Sequence, residues 1–214
     1  MIKDFLNRNK PLLLLLLFIP KILIYFLTSR IGVPRTDIVC GLDGLIPFVP
    51  LFIFPYILWY AYVPAILVIS YFADKKGFCR RCAAFFVGAG ICLIIMIIFP
   101  TKISFRPDVE ANGIAEWICS MIFSADSPVN VLPSLHCYEA LCAHLLLFSI
   151  PGPGKKAPWR AASAVFAVLA CLSTVFVKQH SVLDLFTGCA IALIVALPVM
   201  MTSRRSSVND NQTV

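Results

Sequence analysis

The sequence predicts an all-α fold, a bundle of six membrane-spanning helices, on three observations. The 214 residues are 60% hydrophobic and 14% charged, with mean hydropathy +0.89, whereas soluble domains run about 45–50% apolar and about 25% charged. The apolar residues form continuous runs and do not alternate, which selects helices over a barrel. The basic residues sort onto alternate connections, as they do in a chain that crosses a bilayer repeatedly.

The runs are Pro11–Thr28, Phe48–Phe72, Cys82–Pro100, Leu135–Ile150, Trp159–Val177 and Ser181–Met201. Pro20 and Lys21 interrupt the first. A secretory leader is its alternative reading, but no small-residue cleavage site follows Leu27. The second is long enough to tilt, and the fourth is short unless its polar start also enters the bilayer. Residues 1–202 are expected to make one transmembrane domain with functional outer loops at 101–136 and 173–184. Residues 203–214 are expected to be a polar, disordered cytoplasmic tail.

Twelve of the eighteen basic residues, including Lys75, Lys76, Arg80, Arg81, Lys155, Lys156 and Arg160, fall on one side of this arrangement. Five fall on the other: Arg30, Arg35, Lys102, Arg106 and Lys178. The positive-inside rule puts both termini in the cytoplasm and the first, third and fifth loops outside. A bacterial plasma membrane is the expected location, and a eukaryotic endomembrane with lumenal chemistry would use the same orientation. The net charge of +7 therefore reports topology, and nucleic acid is excluded as a partner because no aromatic-interleaved basic patch occurs. The first outer loop, Ser29–Pro47, is placed to lie along the interface and line a lipid entry route. Of the nine cysteines, Cys40 and Cys119 both belong to the outward side, so a bond between them is open. Cys79 and Cys82 form a CxxC without the second pair or histidine that a zinc site needs.

Ionisable groups at the edge of a span are costly and mark function. His136 opens the fourth run and His180 the sixth. Asp184 follows His180 by one helical turn, so carboxylate and imidazole share a face. That spacing suits a carboxylate that fixes one ring nitrogen and leaves the other free to attack. Arg106 can fork phosphate oxygens, Lys102 and Lys178 add cations, and Ser134 opens a helix whose N-terminus favours an anion. Each has a plainer reading: interfacial snorkelling for Lys102 and Arg106, helix capping for Ser134, and a structural role for His144. Glu139, on nearly the same face as His136, either tunes that histidine, contacts a substrate hydroxyl or serves a structural partner. Phosphate chemistry at headgroup level is the reading that accounts for their concurrence.

Between about Thr101 and Gly188 these residues resemble the type 2 phosphatidic acid phosphatase superfamily, six-helix lipid phosphatases and phosphotransferases. Arg106-Pro107 matches the end of its first motif, Pro133-Ser134-Leu135-His136 its second, and Ser173, His180 and Asp184 its third, with Asn130 also similar. Two positions depart from the family. Phe99 stands where its lysine is expected, and Thr174 where its second arginine is expected; Lys102 and Lys178 are the candidate replacements. The Lys178-Gln179-His180 sequence is similar to the branch of inositol phosphorylceramide synthases, which pass a headgroup to a lipid alcohol. The resemblance implies a metal-independent, cofactor-free enzyme with His180 as nucleophile, Asp184 as its partner, and His136 as acid and base. Lys102, Arg106, Ser134 and Lys178 would bind phosphate, with Glu139 at the substrate. The implied partners are a membrane phospholipid or isoprenoid phosphate and the bilayer; the oligomeric state is not implied. A lipid-binding protein without enzymatic activity is the rival class.

Overall fold

The structure is a computed structural model that describes the backbone of residues 9–152 and 155–212, and side chains through residue 202. The described chain opens as a 3₁₀ stretch, Lys10–Leu17, that runs into α1 (Phe18–Arg30). It continues through β1 (Thr36–Asp37), α2 (Ile53–Ala73), α3 (Lys75–Ile98), β2 (Thr101–Lys102), α4 (Ile114–Ala125), α5 (Leu135–Leu147), α6 (Ala157–Phe176) and α7 (Val182–Gln212). The fold is thus all-helical apart from one parallel pair, Thr36 with Thr101 and Asp37 with Lys102.

Five segments are long and apolar enough to cross a membrane: Lys10–Arg30, Pro50–Ala73, Lys75–Ile98, Ala157–Phe176 and Val182–Thr202. They mark a membrane protein, and their outer faces carry exposed leucine, isoleucine and phenylalanine. The expected fourth span is shorter than its run. Helix α5 has 13 residues, about 20 Å at ~1.5 Å per residue, against a hydrocarbon layer of about 30 Å. Its length is tolerable because it lies inside the bundle, packed against α2, α3, α6 and α7. Nine of its thirteen residues are buried. Small side chains let its neighbours close in, as in helix packing within bilayers: Cys137, Ala140, Cys142 and Ala143 on α5 itself, Gly88 on α3 and Gly188 on α7. A Cβ on Gly188 would stand 2.4 Å from the Ser134 carbonyl oxygen and 3.2 Å from the Tyr138 nitrogen.

At one end of the bundle α2 turns into α3 at Asp74, whose Oδ1 accepts the Gly77 N–H at 3.0 Å and caps α3. Arg81, one of the twelve basic residues assigned to this side, is 1% exposed. It donates to the Asp74 carboxylate at 3.1 Å, to the Ser149 carbonyl at 3.2 Å and to Ser70. A buried guanidinium has to place its donors this way, and here it ties the α2–α3 turn to the end of α5. His144 bonds Ser163, which also bonds Tyr62, in keeping with a structural role.

The opposite end carries the long loops. The first folds back through β1 onto the segment after α3, with Ile38 N–H donating to the Lys102 carbonyl at 2.9 Å. The thiols of Cys40 and Cys119 are both free. Helix α4 was not expected: Ile114–Ala125 lies in a presumed loop, with its Ala115 and Cys119 packed against Ile53, Tyr56 and Val177. At the C-terminus the helical backbone of α7 extends through Gln212, while residues 213 and 214 lie outside the described residues.

The contact at Gly188 gives a direct test of α5 packing. Gly188→Ala is expected to lower stability by about 1–3 kcal/mol, the usual cost of overpacking. Gly90→Ala, where a Cβ meets nothing within 4 Å, is expected to be neutral or slightly stabilising. Thermal unfolding of the two variants in detergent checks the difference.

Candidate functional site

The site is built on the five-residue connection between α6 and α7. Lys178 adopts a left-handed backbone, φ 56°, which is uncommon outside glycine. This lets the chain wrap the Thr174 carbonyl, which accepts the N–H groups of Gln179 at 2.9 Å and His180 at 3.1 Å. Helix α7 then starts in a capping box. Ser181 Oγ accepts the Leu183 N–H at 3.2 Å, and Asp184 Oδ2 accepts the Ser181 N–H at 2.8 Å. The same Asp184 oxygen lies 3.3 Å from His180 Nδ1. One carboxylate therefore both starts the helix and orients the imidazole.

Asp43, from the first loop, completes the N-terminus of α7. Its Oδ1 accepts the Val182 N–H at 2.8 Å, and its Oδ2 accepts the Ser181 hydroxyl and the Cys40 N–H, each at 2.8 Å. Burial works against its charge, but the bonds from Cys40, Val182 and Ser181 prevail and hold its carboxyl below the usual range. Lys178 Nζ donates to the Asp43 carbonyl at 2.7 Å and the Ile46 carbonyl at 2.5 Å. Sequence reasoning gave this lysine to phosphate, but its ammonium is committed to the loop.

His136 is delivered by α5. Before it, Asn130 has φ 53° and the Leu132–Pro133 bond is cis. Ser134 Oγ accepts the Cys137 N–H at 3.3 Å, and its own N–H donates to the Asp184 carbonyl at 3.0 Å. Ser134 is fully buried, so it caps α5 and joins it to α7 and has no open face for phosphate. The His136 ring stacks on Tyr56 with centroids 4.4 Å apart and lies 4.1 Å from Trp59. Its Nε2 is buried without a hydrogen-bond partner among the described residues. The His136 and His180 rings are 5.8 Å apart.

Both imidazoles line a cavity of about 220 Å³, with Lys21, Tyr25, Trp59, Tyr60, Asp126 and Asn130 as its other polar or amphipathic walls. Ile22, Phe26, Met96 and Ile122 supply apolar surface. Arg106 stands behind this wall. It donates to the Asp126 carbonyl at 2.6 Å and to Gln179 Oε1, and lies 4.7 Å over the Phe123 ring. Its Nε has no partner among the described residues. Burial lowers its pKa, with Asp126 opposing. Asp126 Oδ1 accepts the Tyr25 hydroxyl at 2.8 Å; burial raises its pKa against the pull of Tyr25, His180 and Arg106.

The remaining expected residues lie elsewhere. Lys102 is exposed on β2 and outside the cavity lining. Thr174, at the position of the missing arginine, is fully buried, bonded to the Cys171 carbonyl at 2.8 Å and packed on Cys137. Glu139 pairs with Lys21 at 2.5 Å. Sequence reasoning missed Lys21, Tyr25, Asp43, Trp59 and Asp126. Of these only Lys21, a charge inside an apolar run, carried a signal. Compared with protein-family models, with curated proteins and with solved structures, the chain gives no match.

A carboxylate held below its ordinary value contributes stability that is present above the unfolded pKa and lost as pH falls through the folded one. The unfolding midpoint is therefore expected to fall on acidification below about pH 4. Asp43→Asn is expected to cost about 1 kcal/mol at neutral pH through the weakened cap and to flatten part of that acid loss. Unfolding of both proteins across the acid range measures the difference.

Proposed function

We propose that the protein is a membrane-embedded lipid phosphatase that works through a phosphohistidine. The observation that carries this reading is the meeting of two imidazoles, one on α5 and one on the connection before α7, 5.8 Å apart on one cavity, the second oriented by a buried carboxylate. The cavity's mixed lining suits an amphipathic ester, with polar groups around the histidines and apolar side chains from α1, α3 and α4 beside them. The sequence resemblance to type 2 phosphatidic acid phosphatases supports the same chemistry.

In this reading His180 Nε2 attacks phosphorus while Asp184 stabilises the ring as it becomes cationic. The P–O bond to the lipid alcohol breaks, and His136 gives its proton to the leaving oxygen. His136 then takes a proton from water, whose oxygen displaces His180 and releases phosphate. Arg106, braced behind the cavity wall on the Asp126 carbonyl and Gln179, adds fixed positive charge near the equatorial oxygens without contacting them. No step requires a metal. Helix α5 acts as a sixth, internal passage, so both ends of the chain lie on the cytoplasmic side with most basic residues, and the cavity faces the outer side. Helix α4, with Ile114, Trp117 and Met121 exposed, lies at the membrane surface, where tryptophan is favoured. An alcohol that replaces water at the second step would make the protein a phosphotransferase, and the assay below separates the two.

His180→Ala is expected to abolish turnover of short-chain phosphatidate in mixed micelles, and His136→Ala to cost about 10²–10⁴-fold. Asp184→Asn is expected to cost about 10²-fold or more by releasing the ring's tautomer. Release of labelled inorganic phosphate scores hydrolysis, and a new headgroup-bearing lipid, with ceramide or diacylglycerol as acceptor, scores transfer. Retained activity in a folded His180→Ala protein would refute the reading, as would strong inhibition by chelators.

A further inference from the structure

Lys21 is a charge set in an apolar helix, and it is the one buried residue of α1. Its Nζ donates to Glu139 Oε1 at 2.5 Å across 118 residues of sequence. It also lies 5.0 Å from the Phe18 ring and 5.6 Å from the Trp59 ring. An ammonium has three donors, and Glu139 takes one. Lys21 lines the cavity shared by His136 and His180, and His136 lies 4.1 Å from the same Trp59 ring. Glu139 Oε2 is buried with no partner among the described residues. The pair is thus incompletely satisfied, although a buried ion pair needs its spare donors and acceptors met to repay desolvation.

The cations expected at the substrate are committed elsewhere: Lys178 donates to loop carbonyls, Lys102 is exposed, and Arg106 stands behind the wall. A phosphate in this cavity would meet one lysine on its lining, and that lysine is Lys21. We propose that Lys21 receives the substrate's phosphate oxyanion, with Glu139 holding the ammonium while the cavity is empty. The inference rests on the phosphate reading of the site and adds to it a binding residue from α1, outside all three motifs. The oxyanion would take the ammonium's open donors, and the cation–π contact with Trp59 would keep the charge beside His136.

Inorganic phosphate is the probe. Diethyl pyrocarbonate modification of His136 and His180, read by peptide mass, is measured against phosphate concentration in the full-length protein. Wild type is expected to be protected. Lys21→Met/Glu139→Gln, which removes both charges together, is expected to need about tenfold or more phosphate, the usual weight of a bond to a charged group. Glu139→Gln alone frees the ammonium and is expected to lower the concentration needed. A purely structural tie gives no such gain, so this variant decides the matter even if the double variant fails to fold. Equal protection of wild type and a folded double variant would overturn the role of Lys21 and leave the phosphate site standing, and so would unchanged or weaker protection in Glu139→Gln. No protection of wild type would overturn both.

Discussion

Asp184 has one oxygen that serves two groups, and the rest of the site depends on that sharing. As the fourth residue of the capping box it accepts the Ser181 N–H and starts α7; as the neighbour of His180 it fixes the imidazole. A helix N-terminus has N–H groups that must find acceptors, and the low-dielectric surroundings leave little water to supply them. Asp43 takes up the adjoining donors from a loop about 140 residues earlier in the chain (138 for Ser181, 139 for Val182). The orientation of His180 is therefore set by backbone needs that any folded copy of the chain must meet. The imidazole is held in place by the fold itself, and for the proposed reaction that is the form of preorganisation that favours catalysis.

The second constraint is depth. A 13-residue helix cannot span the hydrocarbon layer alone, but lying inside the bundle it does not have to face lipid. That position gives α5 a protein-lined environment in which His136 and Glu139 can exist at all. The small residues on α5 and the glycines on α3 and α7 bring the backbones close. The Ser134 N–H can thus reach the Asp184 carbonyl at 3.0 Å, which couples α5, the helix of His136, to the first turn of α7, just after His180.

Much of this was legible in the sequence, for definite reasons. Apolar runs located the long helices because transfer energies act residue by residue. The spacing of His180 and Asp184 and the cap at Ser134 were legible because helix geometry fixes short separations. Helix α4 is equally open to that approach: Ile114, Ala115, Ile118, Cys119 and Ile122 recur at helical spacing, a signal weaker than the long apolar runs because the segment is short. Long-range pairings were beyond reach. Nothing local joins Lys21 to Glu139, Tyr25 to Asp126 or Asp43 to Ser181. The setting of Lys178 was equally beyond reach, because its direction depends on a left-handed turn and on carbonyls of a distant loop. The burial of Arg81 was out of reach for the same reason, since charge counting assigns a side and not an environment.

The Lys21–Glu139 pair also bears on how the protein is made. Synthesis is vectorial, so α1 enters the membrane well before the residue that neutralises its lysine has been translated. A lone lysine at mid-helix opposes insertion by about 2.5–3.5 kcal/mol, and the leucine run Leu12–Leu17 just ahead of it supplies an opposing hydrophobic drive of about 0.3–0.6 kcal/mol per residue. Until Glu139 emerges, the nascent helix carries an unneutralised charge that can reach a headgroup by snorkelling. The charge of the first helix thus gains its partner only once the central helix has packed beside it.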